Sequence, residues 1–245
     1  MDTIDIVEVI GRSKQGATRP FICRSSDGEV YFLKGHDAGR RSLICEWVCG
    51  CLAKQFGLPI AEFALANVPR ELVALGTVGE IKLSDLGVGI AFASKQMDVH
   101  ELTRAYTHEV PEAQKRDVVV FDWWIRNMDR QLTERGGNPN LFWSCADGLV
   151  VIDHNLAFDR EFQTQDFLDG HIFRDSFRNA ESDFIMRGEF ATRFAHALSD
   201  WDSIVAGIPN SWHYLDSEQT IFADFDVSAT KALLERFASD RFWSA

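Results

Sequence analysis

The 245-residue chain is short of basic residues, of paired cysteines and of long apolar runs. Lys and Arg total 25 against 37 Asp and Glu, giving a formal net charge of −12. Bulk charge of that sign argues against nucleic acid as a partner, because duplex binding rests on cations meeting phosphates. No stretch approaches the roughly 20 apolar residues of a bilayer-spanning helix, so no membrane association is expected. Cysteines number five, an odd count with no Cys-x-x-Cys. With no recognisable signal peptide, this predicts reduced thiols and a cytoplasmic protein. Cys45, Cys49 and Cys51 lie in an apolar helical run with no matching Cys or His pair downstream. They are expected to be buried thiols rather than metal ligands. His-Glu-x-x-His and Gly-x-Ser-x-Gly are absent, and the histidines are scattered. That leaves no zincin or hydrolase pattern. Internal repeats and low-complexity tracts are lacking too, which excludes a solenoid.

What is present suits a well-filled globular core: 46% hydrophobic residues, 25% charged, with 19 Phe and seven Trp. The length allows two small lobes sharing a cleft. Residues 4–10, 29–34, 60–67, 70–74 and 88–94 read as strands, and 41–56 as a helix closed by Gly57 and Pro59. Beyond about residue 100 the pattern turns mostly helical: 112–127, 165–179, 183–198, 200–206 and 228–240. Two short strands at 140–144 and 149–153 flank a turn at Ala146-Asp147-Gly148. The fold class is therefore α+β. A small antiparallel-sheet N-lobe with one helix spans residues 1–95, and a mostly helical C-lobe spans 96–245.

Chemistry concentrates in three pieces: Asn127-Met-Asp129-Arg130, Asn138-Pro-Asn140-Leu-Phe-Trp143 and Val150-Val-Ile-Asp153-His154. Each places an acid or an amide at the edge of an apolar segment. Phosphoryl transfer from ATP uses such a set: one carboxylate for the attacking hydroxyl, and an amide oxygen plus a second carboxylate for Mg²⁺. A hairpin between the two strands brings the start of one and the end of the other together, which sets an amide near Asp153, where their oxygens can share a divalent cation. Asn138 and Asn140 both remain candidates for the amide. Asn140 is favoured because it directly precedes the apolar strand.

Upstream, Lys34 ends an apolar strand and can offer a fixed positive charge to phosphate. Glu46, about a turn into the next helix, can pair with it. Gly11-Arg-Ser-Lys-Gln-Gly16-Ala17-Thr18-Arg-Pro20 lies between strands, and its glycines let backbone amides approach phosphate. It is not a Walker A loop, since no Gly-Lys-Ser/Thr follows. Arg12, Lys14, Arg19 and Arg24 form a local basic cluster, either a solvated face or a frame for a polyanion.

Taken in order, these elements resemble the protein-kinase-like superfamily and its HipA-like branch. The order runs glycine loop, strand lysine, helix Glu, Asn-x-Asp-Arg, Asn before an apolar strand, and apolar strand ending in Asp-His. The catalytic pieces are also similar to phosphatidylinositol 3- and 4-kinases. HipA-like kinases are bacterial serine/threonine kinases, some of them toxins of toxin–antitoxin pairs. The resemblance implies a two-lobed kinase fold with ATP and Mg²⁺ as cofactors, a protein substrate, and a small antitoxin-like regulatory partner. It implies Lys34 on the α- and β-phosphates, Asp129 as catalytic carboxylate, Asn140 and Asp153 as metal ligands, and a hinge within 92–98 holding adenine at Lys95, Gln96 and Met97. The insertion LTERGG separates Asp129 from the amide by more than the family pattern has. Two rival readings are a nucleotide-binding pseudokinase acting through a partner and a small-molecule or lipid kinase. A −12 charge would suit a cationic small substrate.

Overall fold

The computed structural model describes residues 3–14, 18–133, 136–144 and 148–244. By contact density the chain divides into two compact units. One comprises residues 1–47, 61–98 and 208–224; the other comprises 48–60, 99–207 and 225–245.

In the first unit, β1 (Thr3–Arg12), β2 (Phe21–Ser25) and β3 (Val30–Lys34) form an antiparallel meander. Phe21 and Cys23 of β2, and Tyr31 and Leu33 of β3, turn inward at the two-residue period of a strand. The turn from β2 to β3 needs a left-handed residue, and Gly28 supplies it at φ 90°. Helix α1 (Arg40–Phe56), whose residues from Val48 on belong to the other unit, follows and ends at Gly57, φ 89°. Next come β4 (Phe63–Val68), α2 (Arg70–Val73), β5 (Thr77–Val78), β6 (Ile81–Lys82), α3 (Leu83–Leu86) and β7 (Gly89–Lys95).

The sheet runs β1-β2-β3-β7-β4 and closes into a barrel. Its closing pair, β1 with β4, is parallel, with Thr3 opposite Leu65 and Asp5 opposite Asn67. Closure leaves this sheet without an edge strand. Ile6, Val9, Phe21, Leu33, Ala66 and Ala93 belong to the core of this unit. Residues 70–74, expected as a strand, form helix α2 instead. Pro69 stands at its N-cap position, and its carbonyl accepts the Leu72 and Val73 N–H groups. Proline stops β4 and its fixed φ suits a helix entry. Strand β2 occupies a span to which the sequence assigns no element.

The second unit contains β8 (His100–Glu101), α4 (Glu112–Ile125), β9 (Gln131–Thr133), β10 (Gly136–Asn138), β11 (Leu141–Ser144) and β12 (Gly148–Val151). Helices α5 (Thr164–Gly170), α6 (Arg174–Ser182), α7 (Phe184–Leu198), α8 (Trp201–Ala206) and α9 (Val227–Glu235) follow. Asp183 caps α7 by accepting the Ile185 and Met186 N–H groups, and Asp226 caps α9 through Ala229. The expected helix 165–179 is two helices, α5 and α6, broken at His171–Phe173. The expected 228–240 helix ends at Glu235 and continues as 3-10 turns. The stretch after Asn127 carries the β9–β10 ladder.

Aromatic rings fill the core of this unit. Trp124 lies 4.4 Å from Phe194 between ring centroids, and Phe56 stacks on Phe194 at 5.4 Å. Such contacts contribute about 0.5–1.5 kcal/mol each beyond the area they bury. They hold α4 in place, and α4 leads directly into the segment Asn127-Met-Asp129-Arg130.

Candidate functional site

Helix α4 is buried on every side near its end: residues Val118 to Ile125 are all buried. One of them is Asp122, 1% exposed. The helix stops because Arg126 adopts a left-handed conformation, φ 51°. Its last carbonyls do not go unpaired: Arg236 donates its guanidinium to the Trp123 and Trp124 oxygens. Burial lowers the Arg236 pKa to about 9, with Arg126 adding repulsion.

The chain then runs Asn127-Met-Asp129-Arg130 into β9. Asp129 is half-buried and accepts a hydrogen bond at Oδ2 from Asn140 Nδ2, 2.8 Å. Asn140, 4% exposed, immediately precedes β11. Asp153 follows β12 by two residues. The hairpin pairs Leu141 with Val151, and Ile152 N–H donates to the Asn140 carbonyl at 3.2 Å. The amide-bearing and carboxylate-bearing ends therefore meet at one end of the hairpin. The turn through 145–147, with Cys145, lies outside the described residues. Asn140 and Asp153 share a further property: both are left-handed, at φ 51° and 60°. Asn and Asp tolerate that conformation better than other side-chain-bearing residues. Asn138, the other amide candidate, sits on the exposed strand β10 and accepts the Asn140 N–H through Oδ1 at 3.3 Å.

Below these groups lies a polar network that sequence reasoning passed over. Arg130 is fully buried. Its Nε donates to Asp122 Oδ2 at 2.7 Å, and its Nη1 donates to the Asn140 and Ile152 carbonyls at 2.9 Å each. Longer bonds of 3.4 Å reach the Pro139 and Asp153 carbonyls. Asp122 also accepts from Asn127 Nδ2 at 2.9 Å and from His171 Nε2 at 3.0 Å. The Phe173 N–H donates to His171 Nδ1, so that nitrogen carries no proton and Nε2 is the protonated one. His171 is thus neutral. Burial pushes its pKa below the ordinary value, against the pull of Asp122. For Asp122, burial pushes upward, but Arg130 and His171 outweigh it and hold the carboxyl low. A carboxylate inside the run Val-Val-Val-Phe-Asp-Trp-Trp-Ile was the available signal, since a buried charge demands partners. His154, beside Asp153, packs edge-on against Phe121 at 5.9 Å.

In the other unit, Lys34 and Glu46 form a buried ion pair, Nζ to Oε1. The β3–β7 ladder sets Lys34 opposite Phe92, which fixes the lysine at the strand end. Gly11 is not in a loop; it lies in β1 opposite Ile22, at an irregularity in the register. The loop proper begins at Ser13, whose N–H donates to the Pro20 carbonyl at 2.8 Å. Thr18 belongs to it, half-buried, whereas Gly16 and Ala17 lie outside the described residues. Arg12 donates to the Arg19 carbonyl and pairs with Asp37 and Asp85, and Arg24 pairs with Glu8. At least these two cations of the basic cluster therefore have acidic neighbours. In the segment expected as the hinge, Lys95 N–H donates to the Glu62 carbonyl and Gln96 N–H to the Val30 carbonyl. The Lys95 side chain pairs with Glu29. Met97 follows directly and is half-buried.

No group of three or more His, Cys, Asp and Glu able to hold a metal occurs among the described residues. The donors at the hairpin end are an amide and a carboxylate. Two protein oxygens suit Mg²⁺, which keeps waters and completes its shell from substrate phosphates. The Asn140 Nδ2 bond to Asp129 leaves its Oδ1 as the amide oxygen for a hard cation. No helix among the described residues is long and apolar enough to cross a membrane.

No curated protein matches the chain. Among solved structures, the Helicobacter pylori proinflammatory kinase CtkA is similar at a TM-score of 0.47 and 13% identity, over 98% of this chain and 95% of that one. The model of the HipA-like kinase family matches residues 6–245. Spanning almost the whole sequence, that match places the chain in the HipA-like kinase family, whose members are ATP-dependent phosphotransferases with a kinase fold.

Proposed function

We propose that this kinase transfers the γ-phosphoryl group of ATP to a Ser or Thr hydroxyl of a protein substrate, with Mg²⁺. In this reading residues 1–95 bind the nucleotide and residues 96–245 carry the catalytic groups. Lys34, oriented by Glu46, meets the α- and β-phosphates. The glycine-containing segment between β1 and β2 would lie against them, and Met97 would offer the hinge N–H to adenine. Asp129 receives the proton of the attacking hydroxyl as its oxygen bonds to phosphorus, while the bond from phosphorus to the ADP oxygen breaks. Asn140 and Asp153 would hold Mg²⁺, which would neutralise charge on the phosphates. The reduced, buried thiols favour a cytoplasmic setting. An antitoxin-like regulatory protein belongs to the same reading.

One observation carries the proposal: the Asn140 amide bonds to the Asp129 carboxylate at the end of the hairpin that also presents Asp153. Asp129→Asn tests it. Turnover with radiolabelled ATP should fall about 10²–10⁴-fold, the usual contribution of a positioned base. Binding of a fluorescent ATP analogue should be unchanged. Undiminished turnover in a folded mutant would remove Asp129 from the chemistry.

A further inference from the structure

We propose that Arg130, braced by Asp122, is a positioning residue that sets Asn140 and Asp153 at the spacing one divalent cation requires. The inference rests on the reading of those two residues as metal ligands. Three features lead to it. The guanidinium is fully buried and its contacts at 2.9 Å or less go to the Asp122 carboxylate and to two main-chain carbonyls, those of Asn140 and Ile152. Those carbonyls come from opposite strands of the hairpin, and a weaker bond reaches Asp153 itself. Both proposed ligand residues are left-handed, where the β ladder no longer dictates their direction. Something other than strand pairing has to set their relative placement, and the guanidinium bonds to the backbone on both sides.

The brace extends one residue further. Asp122 is oriented by the Asn127 amide and by the neutral His171, whose tautomer is fixed by the Phe173 N–H. His171 occupies the break between α5 and α6, and the Ile172 N–H donates to the Arg130 carbonyl at 3.0 Å. The order of support is therefore His171, Asp122, Arg130, then the ligand-bearing backbone. Planar Arg can serve several acceptors at fixed angles. A lysine ammonium in its place can keep the Asp122 pair but lacks the fork geometry that spans both strands.

The test is binding of Mn²⁺, standing in for Mg²⁺, in the presence of a non-hydrolysable ATP analogue, followed as loss of the free-ion electron-spin signal. Partners behind metal ligands typically change affinity by about 10–100-fold. Arg130→Lys should weaken Mn²⁺ binding by at least about tenfold, with affinity for the analogue without metal unchanged and the circular-dichroism spectrum of the wild type. Asp122→Asn, which keeps the shape of the brace, should weaken it in the same direction and supplies the test if Arg130→Lys does not fold. Wild-type Mn²⁺ affinity in either folded variant would overturn the inference. Failure of both variants to fold would overturn it as well, because the pair would then be a requirement of the fold rather than of the site. If the wild-type protein binds no Mn²⁺ with the analogue, the reading of Asn140 and Asp153 as ligands fails, a result distinct from either.

Discussion

The side-chain amide of Asn140 donates to Asp129 Oδ2 at 2.8 Å, although the β9–β10 ladder separates the two residues along the chain. This bond holds the carboxylate in place and leaves the amide oxygen for a cation. Replacing the amide by an acid should upset both. In Asn140→Asp two carboxylates would share the site, and like charges at that separation force one pKa up. The acid limb of kcat/KM should move to higher pH by more than about one unit, read from a pH–rate profile. An unchanged profile would show that Asp129 and residue 140 do not interact in the working enzyme.

Lys34 and Glu46 are both buried, so removing one partner leaves a charge in the core. Glu46→Ala should destabilise the protein by about 3–5 kcal/mol, measured by urea unfolding, and should raise the KM for ATP as the lysine loses its orientation. A stability change below about 1 kcal/mol would mean that the pair behaves like a surface salt bridge.

Stability should decline as pH falls from 7 to 5. The folded pKa of His171 is depressed, so its contribution is present above the unfolded value of about 6.5 and is lost as pH falls toward the folded pKa. Asp122, also depressed, adds a second loss below about pH 3.9. Denaturant midpoints across this range should fall on acidification, and His171→Asn should flatten the upper part of the slope. A wild-type midpoint that rises toward pH 5 would contradict the neutral assignment.

Much of the fold was legible because periodicity survives in α1, α4, α7 and apolar runs mark the barrel strands other than β2. The misreadings have local causes. A short apolar run suits strand or helix equally, and at 70–74 Pro69 decided for helix. The break between α5 and α6 coincides with a tertiary bond, His171 to Asp122, that no local pattern signals. The parallel closure of the barrel joins β1 to β4, which lie far apart in the sequence. The meeting of Asp129 with Asn140, at the hairpin end that also carries Asp153, was legible because each is an acid or amide at the edge of an apolar segment. Asp122 and Arg130 escaped because their roles appear only once the carbonyls they serve are placed.

Three thiols have pKa values pushed up to about 12 by burial: Cys23, Cys45 and Cys51. Cys49 is buried as well. Thiolate, the reactive form, is scarce at pH 8 for such groups. In a Cys145→Ser protein, Ellman's reagent should label almost nothing in the native state and all four remaining thiols after unfolding. Rapid native labelling would show that the helix around Cys45 and Cys49 opens readily.

The most direct test is a crystal grown with a non-hydrolysable ATP analogue and Mn²⁺, examined for anomalous scattering from the metal. The account predicts a peak within coordination distance of both Asn140 Oδ1 and the Asp153 carboxylate, touching the analogue's phosphates, with Asp129 facing the terminal phosphorus. A bound nucleotide whose metal contacts neither residue would contradict it.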